Sequence, residues 1–493
     1  MIGLAEYQII FTLLRIFQFL AAVLALSLLP SAQILGQSGS LPELGESSTR
    51  FLNSQQEADI GKQFLRQLIA AENYITDPEL RNYLNTLGRE VGQRADLRGV
   101  TLQFNLLEEN ELNAFAVPGG YITFNSGLLL TTDSESELAS VVGHEIAHLS
   151  QRHLPRMIAK AEAAKLPTTA AIIASILVGG QAGIAGVTLA NANMLSNQLA
   201  YSREFEREAD AIGMRLMANS GYDPEDMPNF FNKLQRFNVI SSKDVPEFLR
   251  SHPLSYTRIA ESEARLNTFP HNAHQSSVEF YFVRAKIRAL YAGSAIDAEK
   301  VLDDETRNLE GISRDASQYG LALVQARLRK FSEASKTLSE VENKYGDLPA
   351  VQIAMAEMEL ESGAIPAAVA RYEKLLKRHP DKTYLYYYYI DALLEHDDPA
   401  SAKKVTRYQL RRNPQEYNLL QKLSIANVAM GNLAEAHQAD GEYLAALGSY
   451  KKAIASMKLA LRDNTDNSEY LKKSVSARIT ALEQLIEDAE KAD

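Results

Sequence analysis

The feature that most restricts the fold of this chain is a repeat in its C-terminal half. Four alanines recur at intervals of 34 residues: Ala334, Ala368, Ala402 and Ala436. Other residues keep the same interval, namely Pro380 and Pro414, and Gly363, Asp397 and Gly431. A fixed interval of this length indicates stacked units that each bury an apolar face against the next unit.

The repeat resembles the tetratricopeptide pattern, in which small residues let the two helices of a unit pack closely and a proline ends the second helix. We expect an irregular earlier unit that includes Gly293 and Ala298. A polar capping helix is predicted over Leu471 to Lys491. The resemblance implies an all-α tetratricopeptide-repeat superhelix over residues 275–493.

Composition excludes several classes of protein. Of the 493 residues, 46% are hydrophobic and 23% are charged, which is the balance of a globular chain and not of a disordered one. The net charge is −11 and no basic patch is found, so nucleic acid is not expected as a partner. The chain has no cysteine. Any metal must therefore be held by histidines and carboxylates.

The first fifty residues have the pattern of an export signal followed by a linker. The apolar run from Phe17 to Leu29 leads into small residues ending at Ala32 and then into polar, Gly- and Ser-rich sequence. This pattern is typical of a secretory signal peptide cleaved near Ala32. An uncleaved anchor is the alternative, because residues 8–29 are long enough to cross a bilayer, although they include Arg15. We predict a signal peptide over 1–32, a linker over 33–50 and an exported body.

Residues 51–270 are predicted to form an α-rich α+β domain with a small sheet. Residues 100–107 alternate like a strand, and residues 114–130 have the pattern of two short strands broken at Pro118-Gly119-Gly120. The Gly-rich apolar segment 166–195 is too interrupted to cross a bilayer. We expect it to be a helical hairpin or a loop that caps the site or touches a membrane.

The motif that carries chemistry is His144-Glu145-Ile146-Ala147-His148, inside a predicted helix. Its i,i+4 spacing places both imidazoles on one face of the helix, about one turn apart, where they can share a metal ion. Glu145 is rotated by about 100° and can reach a metal-bound water without being a ligand. His153 lies about 140° from the ligand face, so it is interpreted as a structural residue.

A catalytic zinc needs a third protein ligand, and an acidic helix follows the motif. Its acidic residues are Glu204, Glu206, Glu208 and Asp210. Glu206 and Asp210 face the same way, so Asp210 can accept the second ring N–H of a zinc-bound histidine. A solvated acidic face is the alternative for such a helix. The preceding motif favours a metal site.

The segments HEIAH and SREFEREAD resemble the HExxH and SRxxExxAD signature of the Ste-type zinc metallopeptidases, the family that includes HtpX and Oma. The resemblance implies a zincin-like domain with one Zn²⁺ per chain. It matches the family's third zinc ligand to Glu206 and its aspartate to Asp210.

Together with the export signal and the repeats, the resemblance implies a periplasmic protease and chaperone. Its partners would be unfolded or misassembled outer-membrane polypeptides, and also the outer-membrane assembly machinery through the repeats. Peripheral contact with the outer membrane is compatible with this location.

Two further segments are assigned to the site. The family carries a stretch similar to Asn113-Ala114-Phe115-Ala116 with its following Pro-Gly-Gly, where an edge strand would hold the substrate backbone. A plain hairpin is the alternative.

A subgroup carries a similar His-Pro, so His252 could fill the fourth zinc position and block water activation until it is displaced. Alternatively, His252 donates to the transition state, with Arg258 stabilising the oxyanion or supporting the site.

Two functions follow as hypotheses. The first is a zinc endopeptidase acting in quality control of outer-membrane proteins, in which Glu145 takes a proton from the activated water and delivers it to the leaving amine. The second is a chaperone or adaptor for outer-membrane protein assembly, with the proteolytic activity latent.

Overall fold

The computed structural model describes five ranges of the chain: residues 53–163, 203–240, 246–270, 273–465 and 467–492. All five ranges belong to one compact unit. The predicted signal peptide, the predicted linker and segment 166–195 lie outside the described residues. Within these ranges, no helix combines the length and the apolarity that a bilayer crossing requires.

The N-terminal part of the described chain packs helices around a three-stranded sheet. The strands are β1 (Gln103–Leu107), β2 (Ala114–Val117) and β3 (Tyr121–Asn125), in the order β1-β3-β2. The helices are α1 (Ser54–Ile69), α2 (Pro78–Gly92), α3 (Ser126–Thr131), α4 (Glu135–Ser150), α5 (His153–Ala163), α6 (Arg203–Asn219), α7 (Asp226–Ile240), α8 (Glu247–Ser251) and α9 (Tyr256–Leu266). The prediction of an α-rich α+β part with a small sheet is confirmed.

Strand β3 lies in the middle of the sheet, parallel to β1 and antiparallel to β2. The turn between β2 and β3 needs its glycines, since Gly119 and Gly120 have φ of 89° and 95°. A β-carbon on Gly119 would lie 2.8 Å from the carbonyl oxygen of Glu57, so the turn nests against α1. Strand β2 lies at the edge of the sheet, and the packing of this turn against α1 sets its position.

Helix α4 runs through the middle of this core. Every residue of α4 except Leu149 is buried. Ser134 caps its first turn by accepting the amide of Glu137, and the Glu135 carboxylate accepts the Tyr83 hydroxyl at 2.8 Å. Polar groups on such a helix must be paired or serve the chemistry of a site, because burying them otherwise costs free energy.

The C-terminal part is an array of antiparallel helices. They are α10 (Val278–Tyr291), α11 (Ala295–Asn308), α12 (Gly311–Arg327), α13 (Phe331–Tyr345), α14 (Pro349–Glu361), α15 (Ile365–Arg378), α16 (Leu385–Glu395), α17 (Pro399–Leu410), α18 (Tyr417–Ala429), α19 (Leu433–Ala446), α20 (Tyr450–Arg462) and α21 (Glu469–Ala492). The all-α prediction is confirmed, and α21 lies where the capping helix was expected.

The 34-residue interval has a structural basis at the helix starts. Helices α13, α15, α17 and α19 begin at residues 331, 365, 399 and 433, and each of the four repeat alanines is the fourth residue of its helix and is buried. The turn before each of these helices contains one residue with positive φ, at positions 329, 363, 397 and 431. The interval therefore corresponds to a turn with one residue in the left-handed backbone region, followed by a buried alanine at a close helix contact.

The two parts of the chain share helix α10. Its residues Phe280, Val283 and Ile287 belong to the core around the sheet, whereas Phe282 and Ala285 belong to the core of the first repeats. The predicted domain ranges, 51–270 and 275–493, meet just before this helix.

Two further contacts join the repeats to the N-terminal part. Buried Lys286 of α10 places its Nζ 2.7 Å from Asp77 Oδ2 and 3.3 Å from the hydroxyl of Tyr388 in α16. Near the end of the array, Arg66 Nη1 of α1 donates to the carbonyl of Leu447 at 2.6 Å.

Candidate metal centre

The site is built where helices α4 and α6 cross. Gly143 and Gly213 face each other at the crossing, and a β-carbon on Gly143 would lie 2.8 Å from the carbonyl oxygen of Gly213. The two glycines let the helix backbones approach closely. Because of this approach, Glu206 and Asp210 of α6 reach the imidazoles of α4.

Four buried side chains converge on one point: His144, His148, Glu206 and His252. One ligand atom from each lies within 4.8 Å of the ligand atoms of all the others. His144 Nε2 is 3.0 Å from His148 Nε2 and 3.2 Å from His252 Nδ1. Glu206 Oε1 is 3.4 Å from His148 Nε2 and 3.1 Å from His252 Nδ1.

The residues present fit a divalent metal. Ligand atoms of a tetrahedral zinc site lie roughly 3.3 Å apart, given the usual zinc–nitrogen distances, and the four distances just given, from 3.0 to 3.4 Å, are close to that value. Imidazoles together with a carboxylate are a donor set that suits zinc and related transition metals. This arrangement supports the predicted ligands His144, His148 and Glu206, and it brings His252 into the same group.

Asp210 and Arg258 hold the outer side of this centre. His144 Nδ1 lies 3.1 Å from Asp210 Oδ1, so the aspartate accepts its ring N–H and turns Nε2 toward the other donors. Arg258 donates to both oxygens of Asp210 at 2.7 Å and lies 2.7 Å from Glu206 Oε2. The Nη1 group that contacts Glu206 also donates to the carbonyl of Pro253 at 3.0 Å. These contacts favour site support by Arg258 over contact with an oxyanion.

The electrostatics favour metal binding. Burial alone would raise the pKa of Glu206, but His252 and Arg258 outweigh it and hold the pKa well below the usual range. Burial likewise opposes ionisation of Asp210, and Arg258 lowers the pKa of that carboxyl. Burial lowers the pKa of His148 to about 3, which keeps the imidazole in the neutral form that binds metals.

Glu145 lies beside the four donors without belonging to them. Its carboxylate is fully buried, and burial raises its pKa against the opposing charges of His252 and His144. The backbone amide of Ala116 in β2 is close enough to lower that pKa. A buried carboxyl with a raised pKa is suited to general acid–base catalysis.

The segment Asn113–Ala116 leads into and forms most of β2. Phe115 and Ala116 are partly exposed, and among the described strands β2 pairs only with β3. The structure thus places an edge strand next to Glu145, which is the geometry that strand addition by a substrate requires.

Sequence reasoning missed two contributors to the site. His153, expected to be structural, lies with its Nδ1 2.8 Å from His148 Nδ1. The crossing glycines gave no signal that could be read in isolation, because their meaning depends on the second helix. For the contact between His148 and His153, the available signal was their i,i+5 spacing across the end of α4.

Comparison with known proteins gives consistent results. Residues 78–266 match Peptidase family M48. A relative in Vibrio cholerae is 34% identical over 420 residues, covering 84% of this chain and 86% of the relative. The beta-barrel assembly-enhancing protease of Escherichia coli K12 is 30% identical over 454 residues, covering 91% of this chain and 92% of the relative. The mitochondrial metalloendopeptidase OMA1 of Arabidopsis thaliana is 32% identical over 158 residues, covering 32% of this chain and 30% of the relative.

Proposed function

The chain belongs to peptidase family M48, and on that premise we propose that it is a zinc-dependent endopeptidase acting on outer-membrane proteins in the periplasm. The observation that carries the proposal is the convergence of His144, His148 and Glu206, with Glu145 beside them. One Zn²⁺ per chain is the cofactor that this donor set would hold.

The chemistry follows from the positions of the side chains. A zinc ion held by these three residues would supply a water with a pKa near ~7 and would polarise the peptide carbonyl. Glu145 takes the proton from the attacking water and delivers it to the leaving amine. Asp210 and Arg258 keep His144 and Glu206 in place. Strand β2 holds the substrate backbone by adding it to the sheet.

His252 would close the site in its resting state. Its Nδ1 faces His144 and Glu206 as a fourth ligand would, while its Nε2 lies 3.6 Å from Glu145 Oε1. In this position His252 excludes the water and also contacts the general base, Glu145. Substrate must displace His252 before hydrolysis begins.

The substrate class and location rest on the relatives and on the N-terminal sequence. The Escherichia coli relative is named for beta-barrel assembly, and its similarity to this chain extends through the repeats. The apolar run from Phe17 to Leu29 would export the protein. The repeats would bind unfolded or misassembled outer-membrane polypeptides, or the assembly machinery. Peripheral contact with the outer membrane is compatible with this location.

A second function, as a chaperone or adaptor, is favoured by the same extended similarity through the repeat array. In this case proteolysis is held in reserve behind His252. A strain that lacks the gene distinguishes the two functions when it is complemented with Glu145→Gln. Full rescue by this variant would mean that binding dominates, and failure would mean that cleavage is needed.

The first experiment measures metal content and casein cleavage of the purified protein beside Glu206→Gln. We expect about one zinc per chain, lost in the variant, and cleavage that a chelator abolishes. Zinc without cleavage would indicate a latent site closed by His252. Absence of zinc from the wild-type protein would overturn the proposal.

A further inference from the structure

The two motif histidines have different partners at Nδ1, the ring nitrogen that faces away from the other donors. His144 is held directly by a carboxylate, since Asp210 faces its Nδ1 and is itself fixed by Arg258. His148 has a different neighbour at the equivalent ring nitrogen. His153 Nδ1 lies 2.8 Å from His148 Nδ1, and the two rings meet nearly edge to face.

The contacts continue outward from His153. Its Nε2 is 3.2 Å from Glu208 Oε2, and the same oxygen accepts from Arg156 Nη1 at 3.0 Å. His153 is completely buried, whereas the Glu208 side chain is about one-third exposed. The series therefore leads from the metal centre to the surface. It ends on a carboxylate paired with an arginine, and the partner of His144 is likewise a carboxylate paired with an arginine.

The proton positions along this series are set by chemistry. A ring nitrogen that binds a metal carries no proton, so His148, whose Nε2 faces the other donors, carries its proton on Nδ1. That N–H can donate only to an acceptor, which makes His153 Nδ1 unprotonated. His153 then carries its proton on Nε2 and donates it to Glu208. One tautomer of each ring satisfies the three contacts of this series, from His148 through His153 to Glu208 and from Arg156 to Glu208.

Packing restrains the His153 ring in this orientation. The ring stacks on Phe205, with centroids 4.7 Å apart and planes 12° apart, and Arg156 covers the same phenyl ring at 4.6 Å. Phe205 immediately precedes the ligand Glu206 on α6. A shift of His153 would thus disturb both helices that supply ligands.

We propose that His153 is a positioning residue for the metal centre, which accepts the Nδ1–H of His148 and transmits the restraint of Glu208 and Arg156 to that ligand. The proposal rests on the proposed function, since it assumes a metal on His148. Outer partners of this kind typically change metal affinity by about 10–100-fold when they are removed.

The test compares four variants of the full-length chain: His153→Leu, His153→Asn, Glu208→Ala and the control Glu204→Ala. Asparagine can place an acceptor where Nδ1 lies, whereas leucine fills the space without one. Glu204 is exposed on the same helix as Glu208, and its side chain retains 75% of its accessible surface. The readouts are the zinc dissociation constant, from competition with a chelator, and the visible absorption spectrum of the Co²⁺-loaded protein.

We expect His153→Leu to weaken zinc binding about 10–100-fold and to alter the Co²⁺ spectrum. His153→Asn should restore most of the affinity, Glu208→Ala should show a smaller loss, and Glu204→Ala should match the wild type. Wild-type affinity in His153→Leu, or equal losses in the leucine and asparagine variants, would overturn the inference. If His153→Leu fails to fold, Glu208→Ala decides: unchanged affinity and spectrum overturn the proposal. Failure of the wild-type chain to bind metal would instead refute the proposed function.

Discussion

Gly213 lies so close to His144 that a β-carbon on the glycine would be 2.8 Å from the backbone nitrogen of the histidine. Since the atoms that this β-carbon would meet belong to the backbone of α4, the crossing cannot accommodate even a methyl group without a shift of one helix.

Gly213→Ala should therefore move α6 away from α4 and carry Glu206 and Asp210 with it. We expect a loss of metal affinity of about tenfold, together with a loss of stability of about 1–3 kcal/mol. Zinc competition and urea unfolding measure the two effects. Asn219→Ala, at an exposed position of the same helix, is the control. Unchanged affinity in Gly213→Ala would show that the centre tolerates a wider crossing.

Glu145→Gln separates the general base from the ligands. The amide cannot take a proton from water, so cleavage should fall by at least about 10²–10⁴-fold. Because Glu145 is outside the donor group, zinc content should stay the same. Casein cleavage and metal analysis of the same samples test this, with Glu263→Gln on an exposed position of α9 as control. Loss of zinc in Glu145→Gln would contradict the assignment.

His252→Ala distinguishes the two roles considered for this histidine. If His252 closes the fourth position, its removal should increase casein cleavage several-fold while three ligands still hold the zinc. If it donates to the transition state instead, cleavage should decrease. Initial cleavage rates at matched zinc occupancy decide between them. His396→Ala, which removes an exposed histidine of the repeat array, should leave the rate unchanged.

Glu357 should make the stability of the protein depend on pH. It lines a cleft of about 1080 Å³ between α2 and the repeat helices, and burial, partly offset by Lys286, raises its pKa to about 7. A carboxyl whose pKa is higher in the folded state than in the unfolded state binds protons more tightly when folded. Its contribution to stability is therefore present below about pH 4.5 and is lost as the pH rises to about 7.

Glu357→Gln should consequently match the wild type near pH 4.5 and exceed it above pH 7, by about 1–2 kcal/mol after allowance for partial exposure. Urea unfolding midpoints at pH 4.5 and 8 measure the difference. Glu483→Gln, at an exposed position of α21, controls for the loss of one charge. A variant that is equally stable relative to the wild type at both pH values would refute the prediction.

Local patterns were sufficient to predict much of this molecule. The i,i+4 spacing of His144 and His148, and of Glu206 and Asp210, defines a shared face within a single helix. The 34-residue interval reflects a turn and a contact that recur within each unit. Both kinds of information lie in short stretches of sequence.

Other features depend on contacts between distant segments. Arg258 lies 48 residues after Asp210, and its salt bridges could not be inferred from spacing. The contact between Gly143 and Gly213 depends on where two helices cross. His153 was expected to be structural because its angle on an ideal helix points away from the ligands, but α4 ends at Ser150 and the chain turns before α5 begins. The helical angle does not apply across that break.

The contact of Arg66 with Leu447 affects how shortened forms of the chain should be interpreted. Leu65 and Tyr121 share a small apolar cluster with Tyr417 and Leu447, so α1 is covered by the last repeats. Deleting those repeats would uncover α1, on which the Gly119 turn and thus strand β2 depend. A truncated protein that no longer cleaves casein would be explained by this loss of support, without any missing partner. Single substitutions on the repeat surface are the sounder way to map what the array binds.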